Sequence, residues 1–175
     1  MPTLLMISGS LRQASINTML VREAGRLWDG DTEMADIAMQ LYNGDDEKAH
    51  GVPDEAQKLA DQIAHADAVA IATPEYNQSF PGGLKNALDW VSRIKPMPLT
   101  DKPVAIMSAA AGRSGGVLGQ TTLRQCLVNF QPKLLNGPLV AVAGASNEFD
   151  ENGRLKADSY IKATIGLMEK LKATV

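Results

Sequence analysis

Residues 68–73 read Ala-Val-Ala-Ile-Ala-Thr, a run without charge and without the apolar–polar alternation of a half-exposed strand. A strand of this kind is covered on both faces, and that is the environment of a parallel sheet with helices above and below. Asp67 to Thr73 therefore reads as an interior strand, and comparable runs recur along the chain. Thr3 to Ser8 stops at Gly9, Glu33 to Ile37 is a shorter candidate, and Val104 to Ala109 and Leu139 to Ala143 supply a fourth and a fifth.

Helical periodicity fills the intervals. Ile16, Met19, Leu20, Ala24 and Leu27 recur at helical spacing from Ser15 to Leu27, and Asp29-Gly-Asp31 ends that pattern. Pro53 with Asp54 and Glu55 opens a helix continued by Leu59, Ile63 and Ala66. Gly82 to Arg93, Gly115 to Phe130 and Lys156 to Lys172 complete the set. Met39 to Gly51 is polar and holds Asn43-Gly-Asp-Asp46, so it reads as a surface loop. Five strands interleaved with five helices predict an α/β protein of three layers, with right-handed crossovers. Nothing in residues 1–175 suggests a repeat or a linker, so a single domain is expected.

Composition narrows the function. A net charge of −3 offers no broad basic face to nucleic acid or anionic lipid. One cysteine gives no internal disulfide, and His50 and His65 lack partners at metal-ligand spacing, so no metal site is expected. Met1 leads almost directly into Thr3–Ile7 without a basic leader, and no apolar run approaches the ~18 residues that span a bilayer; a cytoplasmic protein is the expectation.

In an open parallel sheet, ligands bind beyond the carboxyl ends of the strands. Three loops leave such ends, at Gly9–Asn17, Pro74–Pro81 and Ala110–Gly116. In the first, Ser8, Gly9, Ser10, Arg12, Ser15 and Asn17 surround a helix start, where unpaired N–H groups and the helix dipole favour an anion. Arg12 can add charge-assisted bonds to phosphate. The pattern matches neither a Walker loop nor a dinucleotide fingerprint, and Ser15 reads equally well as a plain N-cap.

In the second loop, Pro74 sets the exit direction, and Glu75, Tyr76 and Asn77 offer amides, a carbonyl and an aromatic face to a heterocycle. Pro81-Gly-Gly83 lets the chain come close before the next helix. Together the two loops suggest a mononucleotide, phosphate at one and ring at the other. The third loop supplies small residues, and its Arg113 is either a surface cation or a guide for a second nucleotide's phosphate.

Gly9-Ser-Leu-Arg-x-x-Ser-x-Asn17, together with Pro74-Glu-Tyr-Asn-x-Ser-x-Pro-Gly-x-Leu-Lys-Asn-Ala-Leu-Asp-Trp90, resembles the NADPH-dependent FMN reductase family from residue 3 to about residue 142. The resemblance implies a flavodoxin-like fold with strand order 2-1-3-4-5 and a bound FMN serviced by NADH or NADPH. The phosphate would sit at Ser10, Arg12, Ser15 and Asn17, with Leu11 and Ile16 between them. The ring would lie against Pro74, Glu75, Tyr76, Asn77 and Gln78, and the third loop would contribute at Ala110 and Gly112. Two positions depart from the family's habit. Ala110 stands where relatives often carry Ser or Thr, and Gln78 where an aromatic is frequent.

The implied activity is hydride transfer from nicotinamide to FMN and on to a quinone-like acceptor, free flavin, chromate or an azo compound. No side-chain acid or base is required for it, and no catalytic residue is assigned. A homodimer or homotetramer is implied as well. The competing reading is a flavodoxin-like electron carrier between protein partners, against which the mild charge of −3 counts. A phosphate-binding regulatory domain without redox chemistry is a third. Cys126 reads as a core thiol, and Trp90 as either an interface anchor or a core residue.

Overall fold

A computed structural model describes all of residues 1–175. Alternation between small and branched side chains along its central strands sets how closely each helix layer approaches the sheet. Strands β1 (Thr3–Ser8), β3 (Ala68–Thr73) and β4 (Pro103–Ala109) are the buried centre, in register at Leu4↔Ala68, Ile7↔Ile71 and Ile71↔Ile106. Ala68, Ala70, Ala72, Ala105 and Ala109 face one side, together with Leu4, Met6 and Met107. Val69, Ile71, Val104 and Ile106 face the other.

The alanine-rich face is covered by α1 (Ile16–Arg26) and α6 (Asp158–Lys172), through Leu20, Val21, Ala24, Leu167, Met168 and Leu171. Gly25 lies so close to the sheet that a Cβ there would come within 2.3 Å of Met6 Sδ. Small side chains thus let α1 lie low across β1, β3 and β4. The branched face packs on α3 (Asp54–His65), α4 (Gly82–Val91) and α5 (Val117–Leu127). No helix is long and apolar enough to cross a membrane.

All pairings in the sheet are parallel, in the order β2-β1-β3-β4-β5 that the family resemblance implies, with a sixth strand beside β4. The edges differ in detail. β2 is Asp31–Met34, starting earlier than the Glu33–Ile37 of the sequence reading. It is an edge strand with mostly exposed side chains, so hydrophobicity does not mark it. The far edge is split: β5 (Lys133–Leu134) pairs with the start of β4, and β6 (Ala141–Val142) with its end. Only β6 falls within the expected fifth strand at Leu139–Ala143. Asn136-Gly-Pro138 interrupts the ladder, because proline brings no N–H to it.

One segment expected as loop contains a helix. Within 39–51, α2 spans Gly44–His50. The Asn43-Gly-Asp-Asp46 string that reads as a turn works here as a helix start. The Asn43 side chain accepts a bond from Asp45 N–H at 3.0 Å, and acidic residues fill the first turn. The helix buries no residue of its own, so periodicity carried no signal. Its approach segment is held by α4: Asn86 bonds Tyr42 N–H at 2.8 Å and the Gln40 carbonyl at 2.9 Å, and Trp90 Nε1 donates to the same carbonyl at 2.8 Å. Trp90 is fully buried, a core residue rather than an interface anchor.

Candidate functional site

Gly9 ends β1 by donating its N–H to the Ala72 carbonyl at 2.8 Å, and a Cβ there would press on Thr73 and Leu84. The loop that follows is shaped by hydroxyls. Ser8 Oγ accepts from the Thr18 hydroxyl at 2.8 Å and from Ser10 N–H at 3.3 Å, and Ser10 Oγ accepts from Arg12 N–H at 3.3 Å. Ser15 caps α1, its hydroxyl accepting from Thr18 N–H at 3.3 Å. The N–H groups of Ile16 and Asn17 have no partner in the helix and sit at the positive end of its dipole.

The Asn17 side chain is committed elsewhere. Its amide donates to the Ala109 carbonyl and its carbonyl accepts from Ala109 N–H, each at 2.9 Å, with the residue 3% exposed. It imitates a strand neighbour and clamps the start of α1 to the end of β4. Its second side-chain N–H and its backbone N–H are left for a ligand.

Loop two is tied to α5. The Glu75 carboxylate accepts from Leu118 N–H at 3.0 Å and Gly119 N–H at 3.4 Å, capping that helix with negative charge at its positive end. Thr122 Oγ1 accepts from Phe80 N–H at 3.1 Å. Gly119 permits the approach, since a Cβ there would come within 2.9 Å of the Pro74 carbonyl. Tyr76 and Ser79 exchange both backbone bonds around Asn77 and Gln78, at φ of 50° and 63°, a tight primed turn. Asparagine tolerates that conformation better than glutamine does.

Loop three is anchored by buried polar groups. Ser108 Oγ donates to the Gly115 carbonyl at 2.6 Å, and Gln120 Nε2 donates to Ser108 Oγ and the Val140 carbonyl, both at 2.8 Å. The Gln120 carbonyl oxygen is buried without a partner. Gly116 turns into α5 at φ 88°, where a side chain would meet Ser108. The turn after β6, Ala145–Asn147, docks beside this loop through Ala145 N–H to the Ala110 carbonyl at 3.1 Å.

These loops enclose a cavity of about 250 Å³ at the carboxyl edge of the sheet. One end is lined by Ser10, Arg12, Ser15, Ile16 and Asn17, and the other by Pro74, Glu75 and Tyr76. Ala109, Ala110, Ala111 and Ser146 complete the lining. An adjoining hollow of about 260 Å³ shares Ser10, Arg12 and Tyr76 and adds Leu11, Pro81, Gly82 and Gly83. Asn77, Gln78 and Gly112 line neither, and stay exposed at the rim.

Ala109, Ala111 and Ser146 were not singled out from the sequence. The signal for Ser146 was topological: its turn is one more loop leaving a strand's carboxyl end.

Arg12 is exposed and joins none of the chain's ion pairs, which engage Arg26, Lys85, Arg93, Arg154 and Lys172. The cavity thus joins a cationic, N–H-rich loop to one that offers Pro74, the Tyr76 ring and the helix-capping Glu75. Such a donor set suits a phosphomonoester on a tail that carries a flat heterocycle. Cys126 lies outside it, packed against the core, where burial pushes its thiol pKa up and keeps it protonated. No group of three or more His, Cys, Asp or Glu is placed to hold a metal.

A profile of the NADPH-dependent FMN reductase family matches residues 2–147. An NAD(P)H-dependent FMN reductase of Pseudomonas aeruginosa is 45% identical over 170 residues, covering 95% of this chain and 90% of the relative. A quinone reductase of Escherichia coli is 43% identical over 136 residues, 74% of this chain and 71% of its own. Among solved structures, a flavoenzyme NAD(P)H:(acceptor) oxidoreductase of Paracoccus denitrificans superposes with a TM-score of 0.88 at 28% identity, covering 99% and 96% of the two chains.

Proposed function

This chain belongs to the NADPH-dependent FMN reductase family, and on that premise we propose that it passes electrons from NADH or NADPH, through FMN held in the 250 Å³ cavity, to a small quinone-like acceptor. It is an oxidoreductase with FMN as cofactor and NAD(P)H as co-substrate. The observation that carries the reading is that a phosphate cradle and a ring-sized wall meet in one cavity. The cradle is the pair of free N–H groups of Ile16 and Asn17 beside Ser10 and Arg12; the wall is Pro74 with Tyr76.

When bound, FMN supplies a ring that takes hydride from a reduced nicotinamide and yields electrons to an acceptor. The chain's own residues bind and orient. Arg12, Ser10 and the two helix N–H groups would hold the phosphate, and the residues of loop two would hold the ring by backbone groups and the Tyr76 face. Glu75 caps α5 through Oε2 and so keeps loop two in place. No side chain is needed to move a proton, and none in the cavity is assigned that role.

The quinone-like acceptor is supported by the name of the Escherichia coli relative and by the open hollow beside Tyr76, where a second flat molecule has room. Assembly into two or four copies, with the cavity near a subunit boundary, belongs to the same proposal. Leu11 and Leu118, 61% and 44% exposed near the rim, support it. A cytoplasmic location, where reduced nicotinamides are at hand, is proposed with it.

The test is spectroscopic. Purified protein reconstituted with FMN should lose its yellow absorbance under anaerobic NADPH or NADH, with no partner reductase, and regain it on adding benzoquinone. Colour that persists under both nicotinamides would overturn the enzyme reading in favour of an electron carrier.

A further inference from the structure

We propose that Ser146 donates its hydroxyl to the phosphate of the bound mononucleotide. The inference rests on the flavin reading above and adds a residue outside both sequence motifs. Ser146 lines the same cavity as Ser10, Arg12 and Ser15. Ser146 is exposed at the cavity and bonds no other group of the chain, so its hydroxyl is free to donate to a ligand there.

Position decides which part of the ligand it meets. The turn that carries Ser146 is pinned to loop three by Ala145 N–H to the Ala110 carbonyl at 3.1 Å and by Gly144 N–H to the Gly112 carbonyl at 3.4 Å. The neighbouring Ala109 is the residue that the Asn17 side chain grips. The first turn of α1 therefore hangs from Ala109, and the turn that carries Ser146 hangs from the next residue, Ala110, and from Gly112.

A second tie runs further along. The hairpin closed by the Phe149–Leu155 bridge sends Arg154 to Glu23 of α1, at 3.3 Å. Glu23 is itself buried and paired with Arg26 at 2.7 Å. The segment from 144 to 155 is thus held to the helix whose N-terminus would bind the phosphate. Loop two, by contrast, hangs from α5. Among the lining residues outside loops one and two, Ser146 alone offers a hydroxyl.

The test is a fluorescence-quenching titration of the full chain, freed of flavin, with FMN and separately with riboflavin. A lost hydrogen bond to a charged phosphate predicts that Ser146→Ala raises the FMN dissociation constant about tenfold and leaves that of riboflavin unchanged. A purely structural role would weaken both ligands alike, and equal losses would overturn the phosphate contact. So would an unchanged FMN constant in Ser146→Ala alongside a raised one in Arg12→Ala. Failure of the unmutated chain to bind FMN at all would bring down the flavin reading itself, and the serine assignment with it.

Discussion

Replacing Asn17 with Ala isolates the link between the cavity and the sheet. The substitution removes two buried hydrogen bonds of 2.9 Å and leaves the N–H and C=O of Ala109 facing the gap. Ala109 is 2% exposed and Asn17 3%, so neither orphaned group gains ready access to solvent. Each unsatisfied group costs about 1–3 kcal/mol, so about 3 kcal/mol is expected for the pair after partial relaxation. For a chain of this length that is ~6–12 °C in Tm. Urea unfolding should show a lower midpoint at unchanged slope.

Asn17→Asp sharpens the reasoning. The introduced carboxyl can still accept from Ala109 N–H, but it faces the Ala109 carbonyl and must be protonated to bond it. Burial and that carbonyl favour the neutral form, so its folded pKa lies above the unfolded value of ~3.9. The variant should then be most stable, relative to the unmutated chain, below that value and lose stability as pH rises through the folded pKa. A loss under about 1 kcal/mol in Asn17→Ala, with a flat pH difference in Asn17→Asp, would mean that water satisfies Ala109 and the clamp contributes little.

Arg12→Ala should weaken FMN binding by about 1.5–3 kcal/mol if its guanidinium makes a charge-assisted contact; an unchanged dissociation constant would remove it from the cradle. Gly119→Ala places a methyl 2.9 Å from the Pro74 carbonyl, so α5 and loop two must part; a loss of about 1–3 kcal/mol in urea stability and weaker FMN binding are expected, and normal values for both would refute the close-packing argument. The Glu47 carboxyl is held below the usual glutamate range by its bonds to Arg93, with Tyr42 adding to the effect. Its folded pKa is depressed, so the pair's contribution is present above the unfolded glutamate pKa of ~4.3 and fades as pH falls through the folded value. In Arg93→Ala, an NMR titration of Glu47 should move upward, and an unmoved curve would show that the contact does not persist in solution.

Much of the site was legible because its chemistry is local. Gly9, Ser10, Arg12 and Ser15 occupy one loop and one helix start, and Pro74 to Tyr76 leave one strand, so each donor set could be read from neighbours in the chain. Asn17 shows where that stops. Its type and position suggested a ligand contact, and it lines the cavity, but its side chain also clamps a residue 92 positions away. Glu75 is similar: a loop carboxylate in sequence, a helix cap in space, 43 residues from Leu118. The α2 helix escaped notice because it buries nothing, and the split edge strand because its two halves are defined by their pairing with β4.

The amino-acid order alone determined a parallel sheet covered on both faces, since uninterrupted apolar runs and helical periodicity record burial and turn geometry directly. It also singled out the three loops that line the cavity. What the tertiary structure decided was how those loops meet. Ser146 joins the cavity wall only because β6 pairs beside β4, and α1 presents its free N–H groups there only because an alanine face lets it lie low across the sheet. Such approaches depend on side-chain volume summed across several strands, a quantity that no single stretch of sequence expresses.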